Sequence, residues 1–284
     1  MRRRLTDIAF RAATGLCACV ACGLLAVIVW AIWQRGWPAL SWRFFTEQIR
    51  LVGADGGIFY NLLGTGILVL TAFVVSAPLA TAIALVQAVY LRGRPLGAML
   101  GLFLQVLNGV PSLLFGLIGM IVFVQELGWG KSWLIGGLVL GFMILPTVCV
   151  AFVERIAALP SRYVEAAAGL GLRRSQIIRS VILPQTMGGL ITGSLLGLAR
   201  AAGETAPIMF TATVFAGATV PRGVSESPVL SLPYHIFILS QDSFDPSVVT
   251  KVWGAALTLL ALVCSLSLIA LPARLKTHEE AQGA

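Results

Sequence analysis

Arg200 and Glu204 stand in a stretch built otherwise from small and apolar residues, Ala199-Arg-Ala-Ala-Gly-Glu-Thr-Ala-Pro207. On a helix, positions i and i+4 share one face. A guanidinium presents a planar fork suited to the oxygens of tetrahedral anions. A carboxylate beside it can hold that fork in place, or compete with a passing anion for it. The other reading of the pair is a buried ion pair that only fixes helix packing. Counting 100° per residue puts Gly189, Gly193 and Gly197 on the same sector as both charges, followed by Pro207 and Thr211. Small residues let helices approach closely, so this face is expected to point into a bundle. Pro207 has no N–H and is expected to leave the Gly203 carbonyl unpaired, loosening the helix beside Glu204.

The medium around the pair follows from composition. The chain has 284 residues, 58% of them apolar and 11% charged, with a mean hydropathy of +0.91. Soluble domains carry about 25% charged residues, so the pattern is that of a polytopic membrane protein. Six spans are expected: 14–33, 63–89, 96–124, 133–153, 185–216 and 252–271. A helix needs roughly 20 residues to cross a core of about 30 Å. The charge-free run from Ala12 to Gln34 has 23 residues, too long for the apolar core of a signal peptide. Trp30, Trp33 and Trp37 mark its far end as interfacial aromatics. The third span contains Asn108-Gly-Val-Pro-Ser112, a helix-breaking cluster tolerated at depth only where protein or a cavity satisfies the backbone. Arg200 falls about fifteen residues into the fifth span, roughly 22–24 Å along it, too deep for a loop residue. In the external loop 219–251, the apolar run Leu232–Leu239 is too short to cross and is expected to lie in the interface.

Six spans place both termini on one face. That face, with the Arg92 turn and the 154–184 loop, holds thirteen Lys and Arg residues against six on the other. The positive-inside rule puts the termini and that loop in the cytoplasm. The net charge of +8 lies entirely on this face, so it is topological and does not indicate nucleic acid. The five cysteines, at positions 17, 19, 22, 149 and 264, fall in the spans and imply no disulfide framework. Gly130-Lys131-Ser132 imitates the tail of a phosphate-binding loop, but Gln125 stands where the earlier glycine is required, and the segment is a short external connector. ATP hydrolysis is therefore not expected on this chain. The spans also hold no paired-carboxylate, His-rich or nucleophile–base constellation, which argues against an enzyme.

The cytoplasmic loop has its own pattern. Ser161 after Pro160 opens a helix through Ala166-Ala-Ala168, Gly169 and Gly171 stop it, and Leu172–Leu183 resumes with mixed apolar and basic residues. Two short helices with a Gly turn are expected to lie across the membrane face, as a docking element or a plain amphipathic linker. Glu165-Ala-Ala, Gly171 and Val181-Ile-Leu-Pro184 resemble the EAA loop of MetI-like permease subunits of bacterial ABC importers, with valine where the family usually has isoleucine. The resemblance covers roughly Asn61 to Leu271. It implies that the loop inserts a coupling helix into a groove on a separate ATPase, with Glu165, Ala166, Ala167 and Gly171 as the coupling residues.

Arg200-Ala-Ala-Gly-Glu204-Thr-Ala-Pro207, with Asn108-Gly-Val-Pro111 upstream, resembles the PstA-type permeases of phosphate importers. That resemblance implies transport roles for Arg200 and Glu204. It also implies a second, PstC-type permease, an ATPase dimer that carries ATP and Mg, and a phosphate-binding protein, with no cofactor on this chain. The expected fold is all-α and integral to a bacterial inner membrane: six transmembrane helices of the ABC importer permease type with a cytoplasmic coupling-helix loop. Residues 1–60 form the leading segment, first span and external loop, 61–271 the permease domain and 272–284 a cytoplasmic tail. The expected activity is ATP-driven import of inorganic phosphate. Alternatives are a permease for sulfate or molybdate, and an ion-coupled secondary transporter. The latter needs internal repeats and broken midplane helices, and no clear repeat relates the two halves.

Overall fold

The computed structural model describes residues 2–50, 55–218, 220–242 and 245–282, with side chains for 10–50, 55–218, 220–241 and 245–271. Regular structure among these residues is helical, with two isolated β-bridges, Arg50 to Asp55 and Thr213 to Val229. In chain order the helices are α1 (Arg2–Gly36), α2 (Trp42–Thr46), α3 (Phe59–Leu85), α4 (Pro95–Asn108), α5 (Ser112–Gly119), α6 (Trp133–Ala157), α7 (Ser161–Gly169), α8 (Arg174–Ile177), α9 (Leu183–Gly203), α10 (Ala206–Thr211), α11 (Leu232–Asp242) and α12 (Pro246–Gln282). π-turns extend α3 to Tyr90 and α5 to Glu126, and join α8 to α9.

Among the described residues five helical stretches are long and apolar enough to cross a membrane: Phe10–Ala39, Phe59–Tyr90, Trp133–Ala157, Arg174–Gly203 and Pro246–Leu271. The pair α4 and α5, bent by 91° between Asn108 and Ser112, passes the same test only when taken together, as one broken span or a re-entrant loop. The chain is thus a multi-pass membrane protein whose described helices give five spans, or the expected six with the bent pair taken as one. Gly109-Val-Pro111 causes the break. Pro111 takes φ −56° and ψ 134°, and a proline forces the residue before it out of the helical region.

The centre of the bundle is α3, α6 and α9. Lipid tails are as apolar as leucine, so association within a bilayer rests on close packing at small residues. Gly136 and Gly137 of α6 lie against Leu68, Thr71 and Ala212, and Gly141 against Val75. On α9, Gly189 lies on the aliphatic stem of Arg155, Gly193 on Ala151 and Val148, and Gly197 on Val148 and Ile144. The glycine stripe therefore faces the bundle, as its spacing predicts. Leu68, Ile144, Val148 and Phe152 are fully buried between these helices.

The fifth span ends earlier than its apolar run. Helix α9 stops at Gly203, Glu204 is extended at φ −79° and ψ 131°, and the short α10 follows from Ala206. Pro207 does more than loosen the helix: without an N–H it cannot continue the α9 ladder, and the chain turns. Beyond α10 the segment 220–241 folds back onto the bundle. The Leu232 N–H donates to Thr65 Oγ1 at 2.9 Å and the Asn61 amide to the Ser231 carbonyl at 3.4 Å. Gly64 admits the Leu230 carbonyl. Helix α11 is too short to cross, and it is built into the end of the bundle where α3 begins, with Leu232, His235 and Leu239 buried. At the other terminus α12 continues through Pro272 to Gln282, where the sequence suggests an end near Pro272.

Candidate functional site

Two helix breaks meet at one side of the bundle. One is the Asn108–Pro111 kink between α4 and α5; the other is the Glu204–Thr205 step between α9 and α10. They approach because Gly116 of α5 packs on α10: a Cβ there would stand 2.8 Å from Pro207 Cα and 3.0 Å from the Ala206 carbonyl. Arg200, in the last turn of α9, lies where they meet. Its Nε is 3.5 Å from Glu204 Oε1, and its Nη1 donates to Asn108 Oδ1 at 3.2 Å. The same Asn108 oxygen accepts from Thr147 Oγ1 of α6 at 2.9 Å.

The arrangement leaves the guanidinium held but unsaturated. It has five N–H donors, and one bond goes to each partner. The Arg200 side chain is 37% exposed and that of Glu204 18%, so the pair is partly open to the surface of the chain. An Nε–Oε1 separation of 3.5 Å is long for a charge-assisted hydrogen bond, which usually measures about 2.7–2.9 Å. Glu204 therefore restrains Arg200 loosely, and an anion offering better geometry can displace it.

Arg200 and Glu204 come together as their i, i+4 spacing predicts, although Glu204 sits just past the helix end. Asn108 and Thr147 were not among the sequence candidates. The break-forming cluster pointed to Asn108, but as a backbone feature. Its side-chain partners lie 39 and 92 positions away, which spacing cannot reveal.

The second candidate constellation is α7. Its helix closes as expected with Gly171 in the left-handed region at φ 77°. The Gly171 N–H donates to the Ala168 carbonyl at 2.9 Å and the Leu172 N–H to that of Ala167 at 3.2 Å. Gly169 is still helical, so Gly171 alone takes the left-handed conformation. Glu165, Ala166 and Gly171 are exposed, whereas Ala167 is buried against the bundle. Ala167 thus faces inward, and the outer face of α7 carries Tyr163, Ala166 and Leu170, the last 82% exposed. Behind the helix lies a cavity of about 410 Å³ lined by Arg92, Ser161, Glu165, Arg174 and Ile182, among others. In the connector before α6, Lys131 Nζ donates to the Met209 carbonyl at 2.9 Å and Ser132 caps α6, so the phosphate-loop lookalike is a structural clasp.

A helical bundle with a charged site at its broken helices and an amphipathic helix across one face is an architecture that fits a transport permease. The model for binding-protein-dependent transport system inner membrane components matches residues 76–276, and the chain belongs to that family. It is 31% identical over 242 residues to the phosphate transport system permease protein PstA 2 of Mycobacterium bovis, covering 83% of this chain and 77% of the relative. A probable phosphate transport system permease protein PstA of Methanocaldococcus jannaschii is 32% identical over 262 residues, covering 92% and 90%. The inward-facing MetNI methionine ABC transporter is similar in fold, with a TM-score of 0.54 at 16% identity over 80% of this chain and 96% of that one. The fold is thus the ABC importer permease fold expected from the sequence.

Proposed function

We propose that this chain is the non-ATPase permease subunit of an importer that moves inorganic phosphate into the cytoplasm. The observation that carries the proposal is the Arg200 guanidinium at the meeting of two broken helices, held by Glu204 and Asn108 with donors to spare. The printed names of the relatives point to the same substrate. Phosphate entering from its binding protein displaces the Glu204 carboxylate from Arg200. It then leaves when a change of helix packing restores that pair. Glu204 provides the competition that prevents the anion from being trapped.

The motion comes from another chain. The outer face of α7, with Tyr163, Ala166 and Leu170, is the surface offered to an ATPase dimer that carries ATP and Mg²⁺. Glu165 and Gly171 shape the ends of that contact, while Ala167 transmits it inward through its packing on the bundle. A second, PstC-type permease completes the pathway. This chain itself binds no cofactor and no nucleic acid. Both termini and the 154–184 loop face the cytoplasm of a bacterial inner membrane, with 61–271 as the permease domain and 272–284 as the cytoplasmic tail.

Arg200→Gln tests the proposal in cells that depend on this importer for phosphate. Glutamine keeps an N–H donor but is shorter and carries no charge, so labelled phosphate uptake is expected to fall to background with membrane abundance intact. Uptake that survives would leave Arg200 a packing residue and remove the pathway assignment.

A further inference from the structure

Where α11 meets the start of α3, three polar side-chain atoms are sealed in one place without a partner. They are Asn61 Oδ1, Ser231 Oγ and His235 Nδ1, on residues that are 1%, 1% and 3% exposed. The backbone gathers them around a single peptide. The Ser231 carbonyl accepts from Asn61 Nδ2 at 3.4 Å and from the His235 N–H at 3.0 Å, and the Ser231 hydroxyl belongs to the same residue. Phe215 stacks on the His235 ring, with centroids 6.3 Å apart.

Neighbouring groups do not serve the three atoms. The Leu232 N–H is committed to Thr65 Oγ1 at 2.9 Å, and the Thr65 hydroxyl to the Asn61 carbonyl at 2.8 Å. Ser231 stands at the N-cap position of α11, where a serine oxygen accepts from the second or third helical N–H. Pro233 occupies the second place and has no N–H. A buried polar atom left unpaired is costly. None of the three bonds another, so whatever joins them stands between them.

Their chemistry identifies it. Burial pushes the His235 imidazole down to about 4 from an ordinary 6.5. At neutral pH the ring is therefore uncharged, with one nitrogen a donor and the other an acceptor. With the proton on Nε2, Nδ1 accepts. The Asn61 oxygen also accepts, and the Ser231 hydroxyl can donate. Two acceptors and one donor complement a single water, which has two hydrogens to give and a lone pair to receive. Buried waters make about three such bonds. A cation is disfavoured, because no carboxylate is among these groups and a buried charge without a counter-charge is costly.

We infer that Asn61 Oδ1, Ser231 Oγ and His235 Nδ1 hold one ordered water between them, and that this water fastens α11 to the first turn of α3. It donates to Asn61 and His235 and accepts from Ser231. A β-bridge from Thr213 to Val229 links the stapled segment to the end of α10, the helix that starts just after Glu204.

A density map of the purified importer complex, at a resolution that shows ordered waters, tests the site in the unaltered protein. A single peak about 2.7–3.2 Å from all three atoms is expected. The lack of a peak overturns the inference. A peak at metal–oxygen distances of about 2.3–2.6 Å overturns it too, by putting a cation in the water's place. Hydrogen–deuterium exchange of the peptide covering residues 229–241 tests the staple. Ser231→Ala and His235→Phe each remove one of the water's partners. Each should speed local exchange about fivefold, equivalent to about 1 kcal/mol for one hydrogen bond. Either change releases the same water, so the double variant should also exchange about fivefold faster. Independent effects, a capping role of Ser231 included, multiply to about 25-fold, and that result would refute a shared water. Exchange in Ser231→Ala no faster than in the wild type would refute it as well. The map decides the question even if a variant fails to assemble with its partner chains.

Discussion

Asn108→Leu isolates the contact that sequence spacing did not reveal. Leucine has nearly the same size and removes the oxygen that accepts from Arg200 Nη1 at 3.2 Å and from Thr147 Oγ1 at 2.9 Å. A hydrogen bond to a charged group contributes about 1.5–3 kcal/mol. Arg200 is 37% exposed, so solvent screening favours the lower end, about 1.5 kcal/mol. The Thr147 hydroxyl can rotate to the carbonyl one helical turn before it, so its loss adds little. Since 1.4 kcal/mol corresponds to about tenfold, labelled phosphate uptake should fall about tenfold, with protein abundance within twofold of wild type. Asn108→Asp discriminates further. A carboxylate about 3.2 Å from the guanidinium attracts it by about 5 kcal/mol at an effective dielectric of 20, and an entering anion must displace it. This variant should transport less than Asn108→Leu while folding at least as well. Thr147→Val leaves the Arg200 bond in place and should cost less than threefold. Asn108→Leu transporting at the wild-type rate, or Asn108→Asp transporting better than it, would refute the idea that Arg200 is held there for transport.

Two further outcomes concern other parts of the fold. Gly171 has open space around a Cβ but φ 77°, so Gly171→Ala costs about 1–2 kcal/mol of backbone strain without a clash. It should raise ATP hydrolysed per phosphate taken up, measured in proteoliposomes; unchanged stoichiometry would remove Gly171 from coupling. Burial pushes His235 down to about 4 from an ordinary value of 6.5. The unfolded chain therefore binds the extra proton between about pH 6.5 and 4, and stability is full above that window and lost as pH falls through it. The slope is about 1.4 kcal/mol per pH unit. The Tm of the assembled importer should drop from pH 7 to 5, and His235→Leu should flatten that fall; an equal fall in both proteins would show that other groups set it.

The legible parts of the molecule were those written at short range. Gly189, Gly193 and Gly197 gave the buried face of α9 because helical periodicity is local, and Arg200 announced itself as a charge in an apolar run. The turn at Gly171 followed from its chemistry. The bend of 91° was signalled by Asn108-Gly-Val-Pro111 as a break, but its direction depends on Gly116 docking on α10. The missing N–H of Pro207 was legible as a loosening, but the apolar run past Gly203 carried the expected span beyond the point where α9 ends. Three consecutive alanines could not show that Ala167 faces inward. The return of the external loop onto α3 rests on Thr65 and Asn61 meeting backbone groups about 170 positions away, a pairing that leaves no periodic trace.

Reconstitution tests the central claim most directly. The assembled importer in proteoliposomes, with ATP on the side of the Glu165 loop and the phosphate-binding protein on the other, is given labelled phosphate or labelled sulfate. ATP-dependent accumulation of phosphate but not sulfate, abolished by Arg200→Gln in this chain, is the predicted result. Accumulation that needs an ion gradient instead of ATP, or that prefers sulfate, would contradict it.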